Sequence, residues 1–186
     1  MASPPAPGEL ESPALALVNS LHQERSALVD DIDDADSLTK WVAERLDTRA
    51  AFGPIDVATT RQLRGAIRVV FDAVIAGHPA PGEAVASMNE AAAAAPGAMT
   101  LRPDLTREWQ FLGGGPVDRL LATFARDAIT LTTGERANDL VACQAPNCVR
   151  LLLRDHNRRQ WCGTKCGDRV RAARYHARHR EGESNR

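Results

Sequence analysis

The sequence predicts a mainly α-helical N-terminal domain with one small β-hairpin, an α+β variant, followed by a C-terminal zinc finger of the treble-clef type. Apolar residues recur at helical spacing over most of residues 9–136. Two short apolar runs within residues 98–112 surround a turn signal, which is typical of a β-hairpin. All four cysteines lie within residues 143–166. We therefore assign residues 9–136 to the helical domain and residues 137–182 to the zinc finger.

Length and composition indicate a globular protein. The 186 residues are 44% hydrophobic and 25% charged, which are ordinary values for a soluble domain. No apolar stretch approaches the roughly 18 residues of a membrane span. Residues 1–13 have neither the basic start nor the apolar run of a secretory signal. We expect a cytoplasmic protein with no membrane partner, whose reduced thiols are available to bind a metal.

The first two helices are predicted from capping residues and apolar spacing. Ser12 is a good N-cap and Pro13 suits the first helical position, so we expect a helix from there to about Glu24. The acidic residues 30–36 form a loop, and Asp36 at its end can cap a second helix. The apolar stripe of that second helix comprises Leu38, Trp41, Val42 and Leu46.

Three longer helices complete the N-terminal domain. Residues 52–54, FGP, interrupt the helical pattern, and the first of these helices follows them and ends at a C-cap at Gly77. The second runs from residue 82 to about Ala95, and the third ends at Gly134. The predicted hairpin and a glycine loop separate the second of these helices from the third. Their inward-facing residues are Leu63, Ile67, Val70 and Val74, then Val85, Met88 and Ala92, and finally Leu120, Phe124, Ala128 and Leu131.

The charge balance differs sharply between the two parts of the chain. The whole chain has 23 basic and 24 acidic residues, a net charge of −1 that by itself disfavours a nucleic-acid binder. Residues 137–186 hold 11 basic and 5 acidic residues, or +6, which leaves 12 basic and 19 acidic residues, or −7, in residues 1–136. The positive surplus lies on the cysteine-bearing segment, and such asymmetry is typical of a chain with an anionic partner.

The cysteine spacing predicts a structural zinc site. The pattern is C-x4-C, thirteen residues, then C-x3-C, and two such pairs supply four thiolates for a tetrahedral Zn²⁺. Residues 149–153 are strand-like and residues 158–161 can return antiparallel to them, with the second cysteine pair on the first turn of a helix. Two disulfides, or four unrelated buried thiols, are the alternatives, which a reducing cytoplasm and the close spacing disfavour. The predicted ligands are Cys143, Cys148, Cys162 and Cys166.

Three segments resemble a known protein family. Residues 161–169, WCGTKCGDR, resemble the signature of the CGNR zinc-finger family. Residues 124–128, FARDA, resemble the ARDA helix of that family, and residues 17–20, LVNS, resemble the FVNT segment that opens its N-terminal domain, known as ABATE. The resemblance implies a stress-induced transcription regulator of bacteria. Asp168 stands where the family has Asn, which weakens DNA contact if this position faces a phosphate but serves equally well if it caps the helix.

Basic residues near the cysteines predict a DNA-binding surface. From Gly167 the chain is helical in character, with an arginine face and a second, apolar face that begins at Val170. The planar fork of arginine forms paired hydrogen bonds with phosphate and guanine. A merely solvated charged face is the alternative, which the scarcity of nearby acidic residues disfavours. The DNA-binding candidates are Arg158, Arg159, Lys165, Arg169, Arg171, Arg174 and Arg178.

These observations predict a non-enzymatic, zinc-dependent DNA-binding transcription regulator. Its helical domain would sense a small-molecule ligand or form a homodimer. One alternative is a zinc-stabilised protein-interaction module without a DNA role. Another is an HNH-like nuclease, suggested by residues 155–157, DHN, beside the predicted treble clef. The nuclease interpretation needs a longer loop and a further metal ligand, for which His176 or His179 can be proposed.

Overall fold

The computed structural model describes residues 4–24, 27–46 and 48–183, with side chains described as far as residue 175. Helices dominate the structure, as predicted. They are α1 (Pro13–Asn19), α2 (Ala35–Leu46), α3 (Pro54–Ala76), α4 (Gly82–Ala94), α5 (Pro116–Thr133) and α6 (Thr164–Glu183). The strands are β1 (Leu21–Glu24), β2 (Ala27–Asp30), β3 (Gly97–Leu101), β4 (Arg107–Phe111), β5 (Leu140–Ala142) and β6 (Leu151–Leu153). Successive strands pair as three separate antiparallel sheets.

Most helix ends lie where their capping residues predict. The Oγ of Ser12 accepts the backbone N–H of Leu15 at 3.2 Å and so caps α1. Gly77 ends α3 in the left-handed conformation, with φ of 68°, which costs glycine little. The cap of α2 is Asp34 instead of the predicted Asp36, since the Asp34 carboxylate accepts the backbone N–H of Ser37 at 2.8 Å.

The first helix is shorter than predicted. It ends at Asn19 instead of near Glu24, and the residues that follow form the β1–β2 hairpin. A buried arginine accounts for this difference. Arg64 on α3 donates to Ser20 Oγ at 2.8 Å and to both carboxylate oxygens of Asp30 at 2.6 and 2.7 Å. These long-range hydrogen bonds join the start of β1 to the end of β2. The apolar spacing of the local sequence does not predict them.

The larger of two hydrophobic clusters in the described residues includes parts of both predicted domains. Every residue of α1 from Ala14 to Asn19 is buried, and α1 packs against α3 and α5. Leu140 of β5 and two leucines of β6, Leu151 and Leu153, belong to the same buried cluster. The middle leucine, Leu152, faces the other way and packs with two of the cysteines. Strand β6 is therefore buried on both faces, between the helical core and the cysteine region.

Buried polar contacts fasten β6 to the N-terminal segment. The side chain of Asn19 donates to the carbonyl oxygen of Leu151 at 2.8 Å and accepts the backbone N–H of Leu151, also at 2.8 Å. The same amide donates to Glu9 at 2.6 Å, and Glu9 forms an ion pair with Arg150. Farther along β6, the N–H of Leu153 donates to the carbonyl of Pro7 at 2.9 Å. Asn19 thus substitutes for a neighbouring strand along one edge of β6.

Two adjacent residues of α5, Arg126 and Asp127, contact the start of α1, the end of α4 and strand β4. Asp127 accepts the hydroxyl of Ser12 at 2.5 Å and the N–H of Ala14 at 2.9 Å, and burial raises the pKa of this carboxyl. Arg126 donates to the carbonyl of Ala95 at 2.6 Å, and its guanidinium lies 4.3 Å from the centroid of the Trp109 ring. The FARDA segment therefore stabilises the packing of neighbouring elements against α5.

In the described part of the chain, no helix is long and apolar enough to cross a membrane.

Replacing Asn19 by alanine should destabilise the protein by about 2–3 kcal/mol, because the N–H and C=O of Leu151 would stay buried without partners. Urea denaturation followed by circular dichroism measures this loss as a lower midpoint with an unchanged slope. Asn89→Ala is the matched control, since Asn89 is exposed on α4. Equal stability of the two variants would contradict the assigned role of Asn19.

Candidate metal centre

The first cysteine pair flanks a tight turn after β5. Cys143 follows the last residue of β5, and its N–H donates to the carbonyl of Arg150 at 3.0 Å, which extends the pairing with β6. Within the turn, the N–H of Cys148 donates to the carbonyl of Ala145 at 3.1 Å. Asn147 adopts φ of 59° there, a conformation that asparagine tolerates better than most residues. This turn directs both sulfur atoms to the same side of the chain.

The second pair lies at the start of α6. Cys162 precedes the helix, which begins at Thr164, and only Cys166 is helical, so the prediction that both lie on the first turn is wrong for Cys162. A bond from the N–H of Gln144 to the carbonyl of Gln160, 2.9 Å long, brings this segment back to the first pair. The four sulfurs therefore meet although the chain between the pairs is long.

The distances between sulfur atoms fit a tetrahedral zinc site. Three pairs, Cys148–Cys162, Cys162–Cys166 and Cys148–Cys166, are separated by 3.7, 3.6 and 3.7 Å, and all four sulfurs lie within 4.8 Å of one another. Zn–S bonds of about 2.3 Å place the sulfurs of a tetrahedron about 3.8 Å apart, whereas a disulfide needs about 2.05 Å. The thiols are free, and the set of four matches a closed structural Zn²⁺ site.

The close packing of the thiols shifts the pKa values of Cys143, Cys162 and Cys166, and not all in the same direction. Hydrogen bonds from Cys148 and Cys162 lower the pKa of Cys143. Hydrogen bonding to Cys143 raises the pKa of Cys162, and burial raises the pKa of Cys166 to about 11. A divalent cation favours the thiolate form of every ligand. Metal binding therefore releases protons, and the apparent affinity falls as the pH falls.

The hairpin expected between the cysteine pairs does not form. Residues 149–153 do supply a strand, but β6 pairs with β5 in the register Leu140 to Leu153, and residues 158–161 are not a strand. Strand β6 is buried on both faces, so a strand that pairs with it must itself lie in an apolar environment. The residues of β5 are apolar, whereas residues 158–160 are polar, and β6 therefore pairs with β5. A turn closed by Arg159, whose guanidinium binds the Asp155 carboxylate at 2.7 and 2.8 Å, takes the place of the return strand.

The predicted DNA-binding residues fall into two groups. Arg158, Lys165 and Arg174 are exposed and have no ion pair among the described side chains. The other described candidates already have partners within the protein. Arg159 forms an ion pair with Asp155, and Arg171 forms one with Asp168.

Two candidates remain. Arg169 donates a hydrogen bond to the sulfur of Cys166 at 3.5 Å. Arg178 lies within α6, but its side chain is outside the described residues.

The polar contacts that support the metal centre are not evident in the sequence. Glu9 and Arg150 are 5% and 7% exposed and form an ion pair beneath β6, although charged residues usually lie at the surface. The position of Asn19 in the LVNS segment marked it as a family residue but did not predict its hydrogen bonds to the backbone of Leu151. No sequence pattern linked Glu9 to a residue so far along the chain.

Among the described residues, the DHN segment is not part of a group of three or more close metal-ligating side chains. His156 is exposed, and its neighbour Asp155 is bound by Arg159. Within the described ranges, the four cysteines form the one group of three or more close ligand side chains. The two histidines considered as further ligands, His176 and His179, have side chains outside the described residues.

Zinc removal should lower the stability of the whole chain, because β6 belongs to the helical core as well as to the metal centre. A structural site contributes about 10–16 kcal/mol in small zinc-binding peptides at neutral pH. We expect one zinc ion per chain by elemental analysis and a lower melting temperature in a strong chelator, measured by circular dichroism. Cys162→Ser should reproduce this loss. A chelator-insensitive melting curve would refute the zinc assignment.

Two protein-family models match consecutive regions of the chain. The ABATE family, described as a putative stress-induced transcription regulator, matches residues 11–135. The CGNR zinc finger matches residues 140–179, a region that includes all four clustered cysteines. No curated protein matches the chain. Since the first match covers more than half of the sequence, the chain belongs to the ABATE family and carries a CGNR zinc finger after its helical domain.

Proposed function

We propose that this protein is a DNA-binding transcription regulator whose contact element is α6. The supporting observation is that α6 begins at the metal centre and then leaves the body of the protein. Val170 is buried among the cysteines, but residues 171–175 are all exposed. A helix of 20 residues is about 30 Å long, and the major groove of B-DNA admits such a helix. No enzymatic step is part of this proposal.

The exposed cations are the proposed phosphate contacts. Arg158, Lys165 and Arg174 carry positive charges that no described carboxylate neutralises. The metal centre supports this surface, since Cys166 and Val170 hold the first turns of α6 against the buried cluster. A helix fixed in this way loses little conformational entropy when it binds, which favours affinity.

Arg171 is a further candidate for a phosphate contact, because its ion pair with Asp168 is weak. The pair formed with Asp168 is exposed on both sides, and such surface pairs contribute about 0–1 kcal/mol. A phosphate can therefore replace the carboxylate at little cost. In this proposal Asp168 competes with DNA for Arg171, which is the structural consequence of an aspartate where the family has asparagine.

The helical domain is proposed to sense a ligand or to form a homodimer in the cytoplasm. A groove of about 320 Å³ between α3 and α4 supports the first role, and Leu63 and Leu121 lie along its wall. Exposed apolar side chains on the β3–β4 hairpin, including Met99 and Leu101, support the second. Sedimentation velocity of the zinc-loaded protein measures dimerisation directly.

Neutralising the exposed cations should weaken DNA binding and reduce its salt dependence. For the triple variant Arg158→Gln, Lys165→Gln, Arg174→Gln, the slope of log affinity against log salt should fall by about one for each phosphate that is no longer neutralised. Fluorescence anisotropy with a mixed-sequence DNA duplex measures this slope.

The matched control removes two arginines and one lysine from exposed positions of the helical domain, in the variant Lys40→Gln, Arg49→Gln, Arg107→Gln. Its slope should equal that of the unmodified protein. Absence of DNA binding, with salt-insensitive binding to a protein partner, would support the interaction module instead. Magnesium-dependent cleavage that is lost in His156→Ala would support the nuclease.

Restoring asparagine at residue 168 should strengthen DNA binding. Asp168→Asn removes one negative charge and releases Arg171, so the affinity should rise severalfold at low salt and the salt slope should steepen by about one. Glu44→Gln, the same change of charge at an exposed position of α2, should have no such effect. Weaker binding by Asp168→Asn would instead indicate that Asp168 stabilises the start of α6.

A further inference from the structure

The side chain of Arg169 differs from those of the other basic residues of α6 whose side chains the structure describes. Its Nη2 donates to the sulfur of Cys166 at 3.5 Å, and its Nε is buried without a hydrogen-bond partner. Arg171 pairs with an exposed carboxylate, and Arg174 extends into solvent. The guanidinium of Arg169 is therefore directed toward the metal centre, whereas Arg171 and Arg174 are exposed.

The electrostatics of the metal centre explain why a cation lies there. One Zn²⁺ and four thiolates leave two net negative charges. Cys143 and Cys162 are buried, and their neighbours Ala6, Ala145 and Leu152 are apolar, so this charge has lost much of its solvation. Hydrogen-bond donors to the sulfurs offset that loss.

Besides the thiols themselves, three donors reach the sulfurs in the described part of the chain. The backbone N–H groups of Cys162, at 3.3 Å, and of Ala145 donate to Cys143, and the guanidinium of Arg169 donates to Cys166. The two backbone groups are neutral, whereas the guanidinium carries a full positive charge. Lys165 lines the same cavity of about 290 Å³ beside the cysteines, but no sulfur contact is found for it. Arg169 is thus the cation in contact with the thiolates.

We propose that Arg169 is a positioning residue of the metal centre, which holds the sulfur of Cys166 and offsets the negative charge of the tetrathiolate instead of contacting DNA. A guanidinium that left for a phosphate would expose the uncompensated charge of the buried thiolates. This role depends on zinc binding and does not depend on the proposed DNA-binding function. It also separates Arg169 from the other DNA-binding candidates predicted by the sequence.

Zinc affinity of the full-length protein tests this assignment. Removal of a group that hydrogen-bonds a metal ligand costs about 10–100-fold in affinity, so Arg169→Gln should raise the Kd for Zn²⁺ by that factor in competition with a chromophoric chelator. Arg169→Lys keeps the charge and should recover part of the affinity. Arg174→Gln removes the same charge from an exposed position on the same helix and should leave the zinc Kd unchanged.

Two further readouts distinguish this role from a general loss of structure or a DNA contact. In the cobalt-substituted protein, Arg169→Gln should shift the thiolate-to-cobalt charge-transfer band, and Arg174→Gln should not. At saturating zinc, Arg169→Gln should keep the salt slope of DNA binding, whereas Arg174→Gln should reduce it by about one. A zinc Kd for Arg169→Gln within twofold of the unmodified protein, or a salt slope reduced as in Arg174→Gln, would overturn the proposal.

Discussion

The docking of β6 onto α1 is the constraint on which the rest of the structure depends. Asn19 pairs with both backbone groups of Leu151, and the buried ion pair of Glu9 and Arg150 lies beside it. An uncompensated polar group at either place would be costly, so the N-terminal segment and the zinc finger must pack together in one register. Since β6 also pairs with β5, the same contact positions the turn that bears the first cysteine pair.

That arrangement places the metal centre at the edge of a large core, where it holds the start of α6. Leu152 packs with Cys143 and Cys162, while its neighbours Leu151 and Leu153 pack with the helices. The metal site therefore joins two packing layers. The positive charge counted from the sequence is likewise distributed by this geometry, because some arginines stabilise the centre and its turns and others extend into solvent.

Local chemistry made much of the fold predictable. Ser12 and Gly77 specify helix ends through their own backbone and side-chain preferences, so the limits of α1 at its start and α3 at its end were foreseeable. The β1–β2 hairpin was not, because Arg64 stabilises it from the middle of another helix. The partner of β6 was also misassigned, since its burial on both faces is a property of the packed molecule.

The sequence by itself determined the metal centre, since cysteine is the preferred ligand of structural zinc and the four cysteines lie close together along the chain. It determined the family as well, through short segments with distinctive residues. Only the tertiary structure decided which basic residues are free. Arg158 and Arg169 are the same amino acid, but a long flexible side chain takes its role from the groups within its reach, and those groups are set by the packing of the whole chain.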